Sequence, residues 1–141
     1  MKGETYLEEA EWNGVWDLGE QGTAYKSLRD RTEDFALEII RAYTHLSQGE
    51  VAKVIGRQFL RSGTSVGAHY REASRARSLA EFVSKMGSGL QELDETDYWL
   101  SLASKTNQLP IQVLHPVIRE TGELIAIFTT CVKNAKKRRQ E

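Results

Sequence analysis

Cysteine occurs once in the chain, at Cys131, so no internal disulfide can form, which suits a reducing compartment. No run approaches the roughly 18 to 20 consecutive apolar residues that a membrane span requires. The N-terminus, Met1-Lys2-Gly3-Glu4-Thr5, leads into acids instead of the apolar stretch of a secretory signal. Excess charge is also missing, with 19 Lys and Arg against 20 Asp and Glu. Strand-like alternation, internal repeats and low-complexity blocks are absent as well. Together these absences predict a cytoplasmic protein of one globular domain with no membrane partner. What is present is a globular mixture of 40% hydrophobic and 28% charged residues over 141 positions.

The charge balance conceals an asymmetry. Residues 1–22 carry Glu4, Glu8, Glu9, Glu11, Asp17 and Glu20 against Lys2 alone, a net −5, and the remainder is net +4. A mildly basic body permits contact with nucleic acid without requiring it. Residues 1–25 mix acids and glycines with Tyr6, Trp12 and Trp16 and hold no sustained period. They read as an acidic N-terminal arm whose tryptophans dock on the body or on a neighbouring subunit, because exposed Trp is unfavourable.

From Ser27, a plausible N-cap, Leu28, Phe35, Ile39, Ala42, Tyr43 and Leu46 recur at helical spacing up to the Ser47-Gln48-Gly49 stop. A second helix is expected from about Glu50 to about Glu72, on the stripe Val51, Ile55, Phe59, Leu60 and Val66. It contains Gly56, Gly63 and Gly67, each costing about 1 kcal/mol against alanine, which predicts close approach to another helix. Ser78-Leu79-Ala80-Glu81 is a capping-box pattern and opens a third helix reaching about Lys105. Thr106 to Pro110 breaks it. A fourth helix carries Val117, Ile118, Leu124, Ile125, Phe128 and Val132, and its start stays open because Pro116 suits a first turn but kinks an interior. Four amphipathic helices with short connections predict an all-α, antiparallel up-down-up-down four-helix bundle over residues 26–137, with a basic tail at 138–141.

The stretch Gln58-Phe59-Leu60-Arg61-Ser62-Gly63-Thr64-Ser65-Val66-Gly67-Ala68-His69-Tyr70-Arg71-Glu72-Ala73 resembles the signature of the four helix bundle protein family, the 23S ribosomal RNA intervening-sequence proteins. A second signature is similar to Glu81-Phe82-Val83-Ser84-Lys85-Met86 followed by Glu92-Leu93-Asp94-Glu95-Thr96-Asp97-Tyr98-Trp99-Leu100. The resemblance covers roughly residues 26–137 and implies a four-helix bundle commonly assembled as a ring-like homopentamer. It also implies encoding within intervening sequences of ribosomal RNA genes. A related branch, the accessory variability determinant proteins, serves reverse transcriptases of diversity-generating retroelements. The position before Tyr70 is usually Asn in the family and is His69 here, and the chain is less basic than that accessory branch.

On the second helix Arg57, Arg61, Ser65, His69 and Glu72 share one face, and the third helix offers Glu92 and Glu95 with Lys85 and Trp99 nearby. The favoured reading is an interhelical polar network that fixes register, with a ligand cleft as the alternative. Arg71, Arg75 and Arg77 surround the loop between helices two and three and are candidate phosphate contacts, as against ordinary local ion pairing. Lys136-Lys137-Arg138-Arg139 reads as a helix-closing, solubilising end. Tyr70, Tyr98 and Trp99 are candidate subunit contacts.

Catalysis finds little support. His45, His69 and His115 are preceded at three positions by Ala42, Val66 and Gln112, so the Glu-x-x-His pairs of a di-iron bundle are missing. Zinc spacing and a phosphate-binding glycine loop are missing too, and Cys131 lies on an apolar stripe. No metal or cofactor is expected. The sequence therefore predicts a non-enzymatic, self-assembling helical scaffold that binds RNA, or alternatively a protein-binding accessory subunit of an enzyme such as a reverse transcriptase.

Overall fold

The computed structural model describes residues 6, 7, 12, 14–16 and 27–140. Four helices follow one another: α1 (Leu28–Thr44), α2 (Glu50–Ser74), α3 (Leu79–Lys105) and α4 (Ile111–Gln140). They form an antiparallel four-helix bundle. Each boundary has a local cause. The Ser27 hydroxyl accepts from the Asp30 N–H and starts α1. Gly49, at φ +125°, takes the chain into α2 through a conformation that a side chain would strain. Ser78 accepts from the Glu81 N–H at 3.0 Å to start α3, while the Glu81 carboxylate reaches back one residue further than a reciprocal box, to the Arg77 N–H at 3.2 Å.

The end of α3 is closed by Asn107 in the left-handed region, with Gln108 N–H donating to the Ala103 carbonyl and Asn107 N–H to that of Ser104. Pro110 then offers its carbonyl to the N–H groups of Val113 and Leu114, so α4 begins before Pro116 and carries that proline in its interior. Pro116 is exposed, which lets water satisfy the carbonyl that its missing N–H leaves free. Lys136 to Arg139 continue α4 instead of leaving the helix.

The core is built from Phe35 and Ile39 of α1, Phe59 and Val66 of α2, Phe82, Met86, Leu93 and Leu100 of α3, and Leu114, Leu124 and Phe128 of α4. Helix α1 lies close to α2 because Gly56 faces Tyr43 and Leu46, Gly63 faces Ile39, and Gly67 faces Thr32. The three glycines read in the sequence as a demand for close approach therefore share one partner. A buried hydroxyl pair, Ser62 with Thr96 at 2.7 Å, sets the register between α2 and α3. The α1–α4 seam is the least extensively packed of the four. Arg31 bridges it, donating to Glu120 at 2.7 Å and to Glu123 at 2.6 Å.

The described part of the arm docks on its own chain. Val15 is fully buried, and the rings of Trp12 and Trp16 meet Phe82 edge-on at centroid distances of 5.1 and 5.3 Å. The arm acids expected to shape this segment lie outside the described residues.

Candidate nucleic-acid interface

Antiparallel topology gathers the start of α1, the α2–α3 loop and the end of α4 at one end of the bundle, here called the lower end. Two basic segments that lie far apart in sequence meet there. The loop contributes Arg71, Arg75 and Arg77, all exposed; the last turns of α4 contribute Lys133, Lys136, Lys137 and Arg139, also exposed. Arm contacts tie the two together, since the Leu7 N–H donates to the Ala76 carbonyl at 3.2 Å and the Asn134 side-chain amide donates to the Val15 carbonyl at 3.2 Å.

The three loop arginines differ in how strongly they are held. Arg71 pairs with Glu33 of α1 at 2.9 Å, and Arg77 lies 3.7 Å from Glu81. Arg75 makes no ion pair among the described residues. Pairs this exposed contribute about 0 to 1 kcal/mol and exchange readily for another anion. A simpler reading, in which these side chains only complement the carbonyl ends of α2 and α4, accounts for their helical positions. Because α2 and α4 both end there, it also brings their basic residues together; what it leaves over is Arg77, just ahead of the positive N-terminal pole of α3. Sequence reading missed that convergence, because each segment alone is unspecific.

The second candidate cluster lies along the α2–α3 seam. Arg61 donates to Glu95 at 2.5 Å and to Glu92 at 3.3 Å, and Lys85 pairs with Glu72 at 3.0 Å. The hydrogen bond that Arg61 donates to Glu95 is the main cause raising the Arg61 pKa above its ordinary value. Ser65 donates to the Arg61 carbonyl at 2.7 Å, so its hydroxyl is used locally. Arg57 is exposed and unpaired among the described residues, and the buried Nδ1 of His69 has no hydrogen-bond partner among them. Arg61 with Glu92 and Glu95, and Lys85 with Glu72, thus form ion pairs across the two helices, while Arg57, Ser65 and His69 stand outside them.

The candidate subunit contacts separate. Tyr70 is half-buried and meets Trp16 of its own chain at 6.1 Å. Trp99 is half-buried beside Tyr98 at 5.1 Å, and Tyr98 is 58% exposed. Val51 and Val54 of α2 are exposed as well.

Among the described residues no three His, Cys, Asp or Glu come together to hold a metal. Burial pushes the Cys131 thiol up to about 12, so it is no nucleophile near neutral pH. None of the described helices is long and apolar enough to cross a membrane.

Comparisons with known proteins agree with the bundle. A crystal structure of a protein of unknown function from the S23 ribosomal protein family of Bacteroides thetaiotaomicron superposes with a TM-score of 0.68 at 33% identity, covering 74% of this chain and 94% of that one. No curated protein matches the chain. The family model of the 23S rRNA-intervening sequence proteins matches residues 27–130, from the cap of α1 deep into α4. On that match over most of its length, the chain belongs to the 23S rRNA-intervening sequence protein family.

Proposed function

We propose that the protein is a non-enzymatic helical scaffold of the cytoplasm that assembles with copies of itself and binds structured RNA through its lower end. The carrying observation is the meeting of the arginine loop with the lysine- and arginine-rich end of α4. Phosphate contacts of this kind are electrostatic and sequence-tolerant, and they suit a scaffold that holds RNA without acting on it. Self-assembly, in a ring of five as the family resemblance implies, would use exposed apolar side chains such as Tyr98, Val51 and Val54 and would repeat the basic end in every copy.

The test is binding of a labelled hairpin RNA across a salt series, with the oligomer mass measured in the same buffers. Affinity that falls steeply with salt on an intact oligomer supports the reading. Replacing Arg71, Arg75 and Arg77 together by Ala should weaken binding and flatten the salt slope by about one for each phosphate no longer neutralised. Absence of binding at low salt would overturn it and turn attention to a protein partner.

A further inference from the structure

Trp12 and Trp16 precede the residues that the family model matches, yet they stand at the lower end of the bundle. Their segment is tied to both basic segments: the Leu7 N–H donates to the Ala76 carbonyl, between Arg75 and Arg77, and the Asn134 amide, next to Lys133, donates to the Val15 carbonyl. The two indoles lie 5.5 Å apart and only 32° from parallel, and each meets Phe82 of α3 nearly at right angles. Trp16 also meets Tyr70, the neighbour of Arg71, and the Tyr70 hydroxyl feels the charge of Arg29 in the first turn of α1. Arg29 is exposed and makes no ion pair among the described residues. A plug that only closed the core would bury its rings. Here Val15 is the fully buried residue, and both indoles keep part of their surface in solvent.

We propose that Trp12 and Trp16 are a stacking platform for unpaired nucleobases beside the basic surface, so that the protein prefers RNA with a single-stranded loop to a plain duplex. This rests on the reading of the lower end as an RNA surface and adds what that surface lacks. Arginines and lysines hold phosphates, which a stem and a loop present alike. An indole offers a flat π-face that any unstacked base can cover, whereas a duplex keeps its bases within its own stack. Two indoles near parallel begin a stack that a base can extend. Packing on Phe82 and burial of Val15 fix the rings beforehand, so little freedom is lost on binding. The neighbouring arginines would hold the phosphates that flank the stacked base.

The experiment measures two RNAs of equal phosphate count, a hairpin with a long unpaired loop and a blunt duplex, against the full chain and its Trp12→Leu, Trp16→Leu double variant. Leucine keeps apolar contact with Phe82 and removes the ring. The double variant should bind the looped RNA about five- to hundredfold more weakly, the range for a base stacked on one or more aromatic rings. Its affinity for the duplex and its salt slope should stay as in the wild type, since no phosphate contact is lost, and unchanged duplex binding also shows that the variant is folded. Looped RNA should quench the emission of the wild type but not that of the double variant, which retains Trp99 alone. Replacing both tryptophans by Phe should restore part of the loop preference. If the wild type binds loop and duplex equally, or the leucine variant keeps the preference, the platform is refuted while the RNA surface stands. If neither RNA binds at low salt, both ideas fall.

Discussion

The close approach of α1 and α2 makes a sharp prediction at Gly63. A Cβ added there would lie 2.6, 2.8 and 2.9 Å from Cγ1, Cδ1 and Cγ2 of Ile39. Ile39 is fully buried and β-branched, so its side chain has little freedom to turn away and the helices must separate. Overpacking of this kind costs about 1 to 3 kcal/mol, and three clashing atoms place Gly63→Ala in the upper half of that range. Replacing glycine within a helix returns about 1 kcal/mol, which leaves a net loss of about 1 to 2 kcal/mol. Thermal melting should show the midpoint falling by about 3 to 7 °C. Gly87 and Gly122 are internal controls: a Cβ at either meets nothing within 4 Å, so Gly87→Ala and Gly122→Ala should each stabilise by about 0.5 to 1 kcal/mol. Ile39→Ala removes all three offending atoms at a cost of about 2 to 5 kcal/mol alone, and should cost about 1 to 2 kcal/mol less beside Gly63→Ala. A Gly63→Ala protein as stable as wild type, or strictly additive losses in the pair, would refute the packing argument.

Three further outcomes follow from buried and half-buried polar groups. Thr96 donates to the Glu92 carbonyl at 2.8 Å, so the Ser62 hydroxyl is the donor in their pair; Thr96→Val strands it and should cost about 1 to 3 kcal/mol in urea unfolding, against about 1 for Ser62→Ala. The reverse order would contradict that direction of donation. Arg31 is 17% exposed where it holds Glu120, against 51% for Arg61, so Arg31→Ala should cost about 1 kcal/mol and Arg61→Ala less than half of that, both losses shrinking in high salt. Burial raises the Cys131 thiol to about 12 and also raises the Tyr70 hydroxyl, the latter helped by Cys131 and opposed by Arg29. An unfolded thiol ionises near pH 8.5 while the folded one stays protonated, so this contribution is whole below about pH 8.5 and declines as pH climbs toward 12. Melting temperature should fall through that window, more gently in Cys131→Ala, and a folded chain that reacts with a thiol reagent at pH 8 as fast as the unfolded chain would deny the burial.

Much of the bundle is legible in the sequence because its signals are local. Capping serines fix where α1 and α3 begin, and the Gly49 turn fixes α2. Arg61 and its two carboxylates are legible as well, since complementary charges stand on faces that neighbouring helices must turn toward each other. The start of α4 is not, because one proline satisfies two placements; burial of Leu114, ahead of Pro116, decides it. Nor is the Arg31 bridge, whose partners lie 89 and 92 residues away on faces of mixed polarity. Glycines announce a close approach without naming the helix that makes it, since any neighbour would exploit the missing side chain.

The surface proposed for RNA is illegible for a related reason: it is a property of topology. A basic run closing a helix and a loop with three arginines each have a local explanation, and neither predicts a partner. Antiparallel connection puts the end of α4 at the same end of the bundle as the α2–α3 loop, so the two basic segments add there. Tyr98 is exposed toward the upper end of α3, so assembly through it would leave the lower ends uncovered. In a closed ring with helices roughly along its axis, those ends would all face one side, and weak phosphate contacts would multiply across copies.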